Sequence, residues 1–451
     1  MGIREILERK NVSVGVFGIG RSNDGVIRYL KQLNPSIKLT LRSDTPINEA
    51  GSYEAERIFF GEDAMKDATE DVIFISPSVR RDRREFTEAQ EKGVTLSSDA
   101  ELFFEMTDKK PITVTGSDGK STTTHLIAET YTLSGEETAP CGNYGRALTS
   151  LLDTDTFPVA ELSSFQLSYA TPKSSYAVIT NVTPNHLNWH TSFDEYIEAK
   201  MNITRNAERI VFDADSDTVC KRLSHREVFV KTSLLKSYEA LRSIGGARHY
   251  VTFENGIILV DGMAYLDISR ARRHEEYNIR NYMLTTGACM EKCTQDALTE
   301  AITTFVGLSH RAEEFFKCGG VTFIDSSIDS TPERTLKTLS ALSEKPIVII
   351  GGLGKGLSLE ALATMLPSLT RGAVLLGTVG KELHEILLKR DIDYKFELRA
   401  SLNDAVKTAY EMTSENGTVI LSPAATSFDN YKNFSERGNA FKRVVFTLFR
   451  S

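Results

Sequence analysis

The chain has 451 residues, of which 25% are charged and 41% are hydrophobic, an ordinary balance for a folded protein of about two to four domains. The formal net charge of −8 argues against a broad nucleic-acid or membrane-binding face, although it leaves room for a local pocket that binds a small anion. No uninterrupted apolar run approaches the ~18 residues of a membrane span, and the first residues lack an apolar signal core. The scattered cysteines form no Cys-x-x-Cys pair, which is typical of a reducing, cytoplasmic compartment: Cys141, Cys220, Cys289, Cys293 and Cys318.

The first third of the chain alternates short apolar strands with helices, which predicts a doubly wound, Rossmann-like domain. The predicted elements are strands at 12–20, 37–41, 71–76 and 94–97 and helices at 24–33, 85–92 and 99–106. The turn around Gly18 and Gly20 resembles part of a dinucleotide fingerprint, but Asn23 stands where the third glycine should be. This turn alone is therefore weak evidence for a diphosphate site.

A glycine-rich turn opens the second domain, after the polar stretch "TDKKP" (107–111). In "VTGSDGKSTTTHL" (114–126), a buried strand runs into a helix through glycines, a lysine and several hydroxyls. Glycines let backbone N–H groups point at phosphate oxygens, Lys120 adds a positive charge, and Ser121 can hold Mg²⁺. The turn is shorter than the usual P-loop, because two residues rather than four separate its glycines. The alternative is a tight strand-to-helix turn with an ordinary helix cap.

Two stretches after this turn contain candidate ligands for a metal ion. Glu161, in "ELSSFQL" (161–167), ends a strand and could share Mg²⁺ with Ser121, or could be an exposed strand-end carboxylate. His186 follows another strand end, and Lys200 lies on a helix that we expect to pack back over the site. Singly, a histidine or a lysine is more often a surface residue. Mg²⁺ prefers oxygen ligands, so an imidazole and an ammonium are both poor ligands for it. The lysine could serve only if it were chemically altered.

The last third alternates strands and helices again. Arg311, in "GLSHRAEEF" (307–315), falls at a domain junction, where it could pack a helix or clamp a phosphate. In "LSPAATSFDNYKNFSERGNAFK" (421–442), a strand, a hydroxyl-rich loop and a helix suggest a carboxylate site. The pattern predicts three α/β domains: Rossmann-like (1–107), central with a P-loop ATPase-type parallel sheet (108–308), and Rossmann-like again (309–451).

Five stretches in this order, "TGSDGKST", "ELSSFQL", "NVTPNHLNWH…YIEAK", "SHR" and "LSPAATSFDNYKNFSERG", resemble the Mur ligases of peptidoglycan synthesis. The last stretch and "ELSSFQL" are most similar to the member that adds D-glutamate to UDP-N-acetylmuramoyl-L-alanine. The resemblance implies ATP-dependent amide formation through an acyl phosphate, with two Mg²⁺ ions, by a cytoplasmic enzyme that we expect to be a monomer.

The resemblance also implies roles for individual residues in the central domain. Ser121 and Glu161 would hold one Mg²⁺, and His186 and Lys200 a second, with Lys200 carbamylated by CO₂ so that it offers oxygen ligands. The residues implied for ATP are Gly116, Ser117, Asp118, Gly119, Lys120, Ser121, Thr122, Asn278, Arg311 and Asp325. Those implied in catalysis are Lys120, Glu161, His186, Lys200 and Arg311.

The remaining implied residues would bind the two substrates. For the UDP-linked substrate they are Arg21, Ser22, Ser43, Ser76, Asn143, Ser163 and Gln166, and for the amino acid they are Lys355, Ser427 and Phe434. The chain departs from the family in "DSSIDS" (325–330), where a lysine and a threonine are replaced around Ser327 and Asp329. Arg42 stands at a usually acidic position near the uracil, and Tyr277 replaces a histidine.

Two other functions stay open at this point. The chain could add a different amino acid, as sister Mur ligases or folylpolyglutamate synthetases do. It could also be a P-loop NTPase switch or binding module. A switch would hydrolyse ATP without an acceptor or an amino acid, whereas a ligase requires both.

Overall fold

The computed structural model describes residues 2–47, 50–354, 357–390, 392–413, 415–427, 431 and 433–450. The chain divides into two compact units, Met1–Phe305 and Val306–Ser451. The first unit contains two sheets and the second contains one. The predicted α/β class with largely parallel sheets is confirmed, while the three domain boundaries stay predictions.

The first sheet has five parallel strands in the order β3-β2-β1-β4-β5. Its central strands are runs of buried apolar residues, as expected for a sheet covered on both faces. The strands are β1 (Ser13–Phe17), β2 (Lys38–Ser43), β3 (Arg57–Phe60), β4 (Val72–Ile75) and β5 (Thr95–Ser97), and the helices are α1 (Ile3–Leu7), α2 (Arg21–Leu33), α3 (Arg84–Glu91) and α4 (Asp99–Met106).

Asn23 explains why the turn after β1 works without a third glycine. Its side chain is buried, and its amide donates hydrogen bonds to the carbonyls of Phe17 and Gly18 at 3.1 and 2.8 Å. These bonds fasten the first turn of α2 to the end of β1. The amide therefore holds the helix against the strand end, where a glycine would only have allowed the close approach.

Arg42 is buried inside the first unit and forms an ion pair with Glu70. Both side chains are 0% exposed, and two guanidinium nitrogens donate to one Glu70 oxygen at 2.7 and 3.2 Å. A third nitrogen donates to the carbonyls of Ala64 and Lys66 at 2.8 and 3.1 Å. Arg42 thus forms an internal cross-link between β2 and the segment before β4.

The second sheet has nine strands in the order β14-β13-β12-β11-β10-β9-β6-β8-β7. Its strands are parallel except for the β12-β13 and β13-β14 pairs. The strands are β6 (Ile112–Thr115), β7 (Thr138–Gly142), β8 (Phe157–Glu161), β9 (Lys173–Ile179), β10 (Asn206–Asp213), β11 (Val228–Ser233), β12 (Ala247–Glu254), β13 (Ile257–Val260) and β14 (Met263–Asp267). The helices are α5 (Lys120–Leu133), α6 (Ser164–Leu167), α7 (Phe193–Met201), α8 (Asp217–Leu223), α9 (Tyr238–Ile244), α10 (Glu276–Cys289) and α11 (Gln295–Thr304).

The second unit has six strands in the order β15-β16-β20-β17-β18-β19, parallel except for the β15-β16 pair. The strands are β15 (Glu313–Cys318), β16 (Val321–Asp325), β17 (Ile347–Gly351), β18 (Gly372–Leu376), β19 (Lys395–Leu398) and β20 (Thr418–Leu421), and the helices are α12 (Pro332–Ser340), α13 (Glu360–Leu369), α14 (Gly377–Leu388), α15 (Leu402–Met412) and α16 (Phe434–Phe449). Across the described ranges, no helix is both long and apolar enough to cross a membrane.

Candidate active site

The glycine-rich turn connects the end of β6 to the start of α5, as the sequence predicts. Gly116 has a φ of +150°, and a Cβ there would overlap the Thr180 hydroxyl. Gly119 has a φ of +80°, and a Cβ there would overlap the Asn281 amide oxygen. Only glycine fits at both positions. The turn therefore passes close to its neighbours and delivers the chain into the N-terminus of α5, a place that favours anions.

The turn is held in shape by the segment that follows β9. The Ser117 N–H donates to the Asn181 carbonyl at 2.8 Å, and the Asp118 N–H donates to the Asn181 side chain at 3.0 Å. The Thr180 hydroxyl donates to the Asp118 carbonyl at 2.5 Å, and the Ser117 hydroxyl donates to the Thr183 carbonyl at 3.0 Å. These hydrogen bonds preorganise the loop, so the loop would lose little conformational freedom when an anion binds.

Lys120, Ser121 and Thr122 form the first turn of α5. The Lys120 ammonium folds back over the loop and donates to the carbonyls of Gly116 and Ser117 at 2.8 and 2.9 Å. Ser121 is buried and Thr122 is half-buried. The positive charge and the hydroxyls therefore lie at the helix N-terminus, where the sequence predicts a phosphate.

Glu161 ends β8 and lies beside the P-loop strand, since it pairs in register with Val114 of β6. The carboxylate is fully buried, and one oxygen accepts a hydrogen bond from the Asn143 amide at 2.6 Å. The other oxygen is also buried and has no hydrogen-bond partner among the described residues. A buried carboxylate oxygen without a donor is costly unless something positive completes it, so this oxygen suits a cation.

Lys200 lies on α7 and returns to the glycine-rich turn. Its side chain is 2% exposed, and its ammonium donates to the Gly116 carbonyl at 2.6 Å while lying over the Tyr196 ring at 4.7 Å. Burial, followed by the charge of Lys120, holds the pKa of Lys200 well below its usual value, whereas the nearby Glu161 carboxylate opposes the shift. Lys200 therefore occupies a place that disfavours an ammonium.

His186 and His190 lie in the loop between β9 and α7. The His186 ring is 5.0 Å from Phe165 and 6.5 Å from Tyr196, and the Lys200 ammonium lies 4.7 Å from the same Tyr196 ring. His190 was not among the predicted site residues. Its buried Nε2 lies 3.0 Å from the Ser164 hydroxyl, and burial lowers its pKa to about 4. The only sequence signal for it was a second histidine in the same stretch.

Arg21 and Asn143 connect the first sheet to the loop beside Glu161. The Arg21 guanidinium donates to the carbonyls of Gly142 and Asn143 at 2.9 and 2.6 Å and to that of Gly145 at 3.3 Å. Because the Asn143 amide in turn donates to Glu161, these contacts form one chain from α2 to the end of β8. The predicted substrate residues Arg21 and Asn143 are thus brought together.

Ser22 and Gln166 meet at Asp99, which sequence reasoning missed, and Ser163 contacts Gln166. The Gln166 amide donates to Asp99 at 3.0 Å, and its oxygen accepts the Ser163 N–H at 3.1 Å. Burial raises the pKa of Asp99, while hydrogen bonds from Ser22 and Gln166 oppose the rise. The sequence did not single out Asp99, because a carboxylate at the first position of a helix is common and ordinarily interacts with the helix dipole.

Ser43 and Ser76 lie at the carboxyl edge of the first sheet. Ser43 ends β2, and its hydroxyl accepts the Thr45 N–H at 3.2 Å. Ser76 follows β4, and its hydroxyl lies 3.1 Å from that of Ser78. Open α/β sheets bind ligands at this edge, so both positions are compatible with the predicted role.

Two asparagines lie on α10, and Asn281 faces the start of α5. Asn278 donates to the Glu275 carboxylate at 2.9 Å. Asn281, one turn later, lies against Gly119, and its amide oxygen is 3.2 Å from the Thr123 hydroxyl. Asn281 was not predicted, although its spacing of three residues from Asn278 places the two on adjacent positions of one helix face.

The second unit holds the other predicted residues. Arg311 is exposed, Ser427 is buried, and Phe434 begins α16. Both Asp325 oxygens already accept bonds from protein donors, the Ser327 N–H at 2.9 Å and His310 Nδ1 at 2.6 Å. The predicted ribose contact of Asp325 stays a prediction. Lys355 lies outside the described residues.

The divergent "DSSIDS" stretch turns its second acid inward. Asp329 is buried and accepts a hydrogen bond from the Ser422 hydroxyl at 2.8 Å. Burial raises the pKa of Asp329, whereas bonds from Ser326, Ser422 and Thr338 oppose the rise. The second acid of this stretch thus belongs to the interior between β20 and α12.

Comparisons with known proteins agree with this geometry. Residues 114–288 match the model of the Mur ligase middle domain. The chain is 34% identical to the UDP-N-acetylmuramoylalanine–D-glutamate ligase of Acetivibrio thermocellus, over 97% of this chain and 96% of the relative, and 33% identical to that of Ruminiclostridium cellulolyticum, over 97% of each. Among solved structures, the UDP-N-acetylmuramate–alanine ligase of Thermotoga maritima is similar in fold, with a TM-score of 0.60 at 18% identity, over 97% of this chain and 100% of that one.

Proposed function

Because the chain belongs to the family of UDP-N-acetylmuramoylalanine–D-glutamate ligases, we propose that it joins D-glutamate to UDP-N-acetylmuramoyl-L-alanine in an ATP-driven reaction. The observation that carries the proposal is the meeting of the glycine-rich turn, the buried Glu161 and the buried Lys200 at one sheet edge. We further propose that the enzyme works as a monomer in the cytoplasm. Five cysteines without a disulfide are compatible with a reducing compartment.

The glycine-rich turn is proposed to bind the phosphates of ATP. Lys120 would place its charge on them, and Ser121 and Glu161 would hold Mg²⁺, for which the unpartnered Glu161 oxygen is a fitting ligand. A bound Mg²⁺ would supply positive charge where anionic oxygens must approach each other. Asn278 and Arg311 are proposed to contact the adenine and the γ-phosphate.

Lys200 is proposed to carry a carbamate and to serve a second Mg²⁺ together with His186. Carbamylation requires a neutral amine, which adds to CO₂ and releases one proton, and burial favours that neutral amine. The product would be an anionic oxygen ligand in place of a cation. Lys200→Ala should then be nearly inactive, and acetate should partly restore it by standing in for the lost oxygens.

Bicarbonate dependence separates a carbamate from an ordinary lysine. Removing bicarbonate and CO₂ should lower the activity of the unaltered enzyme, and adding bicarbonate should restore it. Lys231 is the matched control, since it is another lysine of the first unit whose pKa is lowered by burial. Lys231→Ala should keep both its activity and its bicarbonate response. An enzyme indifferent to bicarbonate would refute the carbamate.

The proposed reaction has two steps. The carboxylate of the UDP-linked substrate attacks the γ-phosphate of ATP and gives an acyl phosphate and ADP. Lys120 and Arg311 would stabilise the charge that develops between two anions. The amine of glutamate then attacks the acyl carbon, phosphate leaves, and an amide remains. Exclusion of water would protect the acyl phosphate from hydrolysis.

The two substrates are proposed to be held by residues of different units of the chain. Arg21, Ser22 and Asn143 belong to the contacts that would hold the UDP-linked substrate, together with Ser43, Ser76, Ser163 and Gln166. Lys355, Ser427 and Phe434 would hold the amino acid. Ser427→Ala should therefore raise the KM for glutamate far more than that for ATP, because it removes a partner of a carboxylate.

The experiment that tests the function is an ADP-release assay. UDP-N-acetylmuramoyl-L-alanine is supplied with a panel of D- and L-amino acids, and ADP is measured with each substrate omitted in turn. We expect ADP only when the acceptor and D-glutamate are both present. Release without either would indicate an NTPase switch, and release with a different amino acid would indicate a ligase of another specificity.

A further inference from the structure

His310 is held rigidly in the turn before β15. It is buried and has a φ of +65°, and Ala312 two residues later has a φ of +45°. Its N–H donates to the Glu313 carboxylate at 2.7 Å, and its carbonyl accepts the Ile328 N–H at 3.2 Å. Two residues in the left-handed region are unfavourable unless the surroundings impose them, and such strain is concentrated at functional sites.

The imidazole of His310 is oriented by a buried carboxylate. Nδ1 lies 2.6 Å from Asp325 Oδ2, and Asp325 is 0% exposed at the end of β16. A carboxylate accepts hydrogen bonds, so Nδ1 donates to it, and Nε2 is the nitrogen that holds the lone pair when the ring is neutral. Nε2 makes no hydrogen bond to any described residue of the chain. The arrangement leaves one basic nitrogen available.

Helix α16 packs directly against this pair. A Cβ on Gly438 would overlap His310 Nδ1 and would come within 2.5 Å of Asp325 Oδ2, so only glycine fits there. Phe434, at the start of the same helix, has its ring 6.1 Å from the His310 ring. Phe434 is one of the residues proposed to hold the amino acid. The imidazole therefore borders the proposed amino-acid site at the carboxyl edge of the sheet.

The charges around the pair favour a proton acceptor over a metal site. His310, Glu313 and Asp325 have ligand-type atoms within 4.8 Å of one another. However, the Lys442 ammonium donates to Glu313 at 2.6 Å and lies 3.7 Å from Asp325. This lysine already supplies the positive charge that a metal would bring. The direct contact with Asp325 places a carboxylate beside the imidazole ring.

We propose that His310, oriented by Asp325, is the general base that takes a proton from the ammonium of the incoming amino acid. This inference rests on the proposed ligase function. The ammonium gives one proton to Nε2, the amine nitrogen bonds to the acyl carbon, and the bond from that carbon to the phosphate oxygen breaks. The second proton leaves with phosphate as hydrogen phosphate, and the amide keeps the third. Without the base, an ammonium has no lone pair with which to attack.

Hydroxylamine separates this role from a role in forming the acyl phosphate or in holding the fold, and the pH profile below separates it from binding of the amino acid. It is uncharged at neutral pH and attacks an acyl phosphate without help from a base, giving a hydroxamate. In His310→Gln we expect amide formation with D-glutamate to fall about 10²- to 10⁴-fold at pH 7, the usual contribution of a general base. Hydroxamate formation by the same variant should stay within about threefold of that of the unaltered enzyme. A normal hydroxamate yield also shows that the variant is folded.

The pH profile gives a second, independent readout. In His310→Gln, amide formation should rise about tenfold per pH unit as the free amine becomes available, whereas the unaltered enzyme should show a much flatter rise. The charged groups that face His310 are Asp325, Glu313 and Lys442, and all three remain in this variant. The smaller His310→Asn should behave in the same way. A flat profile in both variants would refute the base.

A control variant at another histidine, and the outcomes that would contradict the proposal, complete the test. His384, on α14 of the same unit, lies against Phe396. His384→Gln should leave both products unchanged. If amide and hydroxamate fall together in the His310 variants, or if neither falls, His310 is not the base. If the unaltered enzyme makes neither product from UDP-N-acetylmuramoyl-L-alanine, the proposed function itself fails, which is a different result.

Discussion

Replacing Arg42 by methionine should cost about 3–5 kcal/mol of folding free energy, the range for breaking a buried ion pair. The structure gives the reason for so large a value. The change removes two charge-assisted bonds to Glu70 and two bonds to the carbonyls of Ala64 and Lys66. The Glu70 carboxylate stays buried, and its other arginine contact, Arg57, lies at 3.6 Å. Removal of the close partner of this buried charge accounts for most of the loss.

Thermal unfolding measures this effect. At about 2 °C per kcal/mol, the melting temperature of the first unit should fall by about 6–10 °C. The matched control is Arg28→Met, since Arg28 pairs with Asp24 on an exposed face of α2, where an ion pair contributes little to stability. The reasoning is refuted if the two variants melt alike. It is also refuted if Arg42→Met raises the KM for the UDP-linked substrate without lowering the melting temperature, because Arg42 would then face a ligand.

The other predictions concern the turn, the phosphates and a buried histidine. Gly116→Ala should abolish ATP binding in a nucleotide-affinity assay, whereas Gly135→Ala, also at positive φ but with open space around it, should cost about 1 kcal/mol of stability and leave ATP affinity unchanged. Lys120→Ala should lower ATP-dependent turnover by about 10²-fold or more, and a folded variant with near-normal ligation would contradict the P-loop assignment. His190, whose pKa is lowered to about 4, takes up a proton on unfolding between about pH 6.5 and pH 4, so its contribution to stability is complete above pH 6.5 and is lost as pH falls. In His190→Asn, the free energy of unfolding measured with denaturant should fall less between pH 6.5 and pH 4 than in the unaltered protein. An equal fall would mean that other groups cause the acid sensitivity.

Local patterns predicted the elements that position the turn. The helix at 99–106 has the predicted bounds, and the glycine-rich turn runs into a helix as predicted, because a polar or glycine residue marks each start and the apolar residues follow a helical period. The strands β10 to β14 were not predicted. Polar and charged residues interrupt the apolar alternation in this part of the sheet, so the two-residue period is weak.

Contacts between distant segments could not be predicted in the same way. The pairing of Arg42 with Glu70 and the meeting of Gln166 with Asp99 depend on which segments the fold brings together. The sequence did identify Lys200 as a residue that returns to the turn, because it lies on a helix that follows a strand end. It could not show that Tyr196 covers the ammonium or that His310 is tied to Asp325. Such side-chain pairs carry no periodic signal.

The contacts of Arg21 have a consequence for building hybrid enzymes. This side chain, on the first helix after β1, is bonded to three carbonyls of the loop at 142–145, and that loop holds Glu161 through Asn143. Exchanging residues 1–107 with those of a relative would therefore alter a neighbour of the proposed catalytic centre, even though no catalytic residue is exchanged. A functional hybrid would therefore need the helix that carries Arg21 and the loop at 142–145 to come from the same donor.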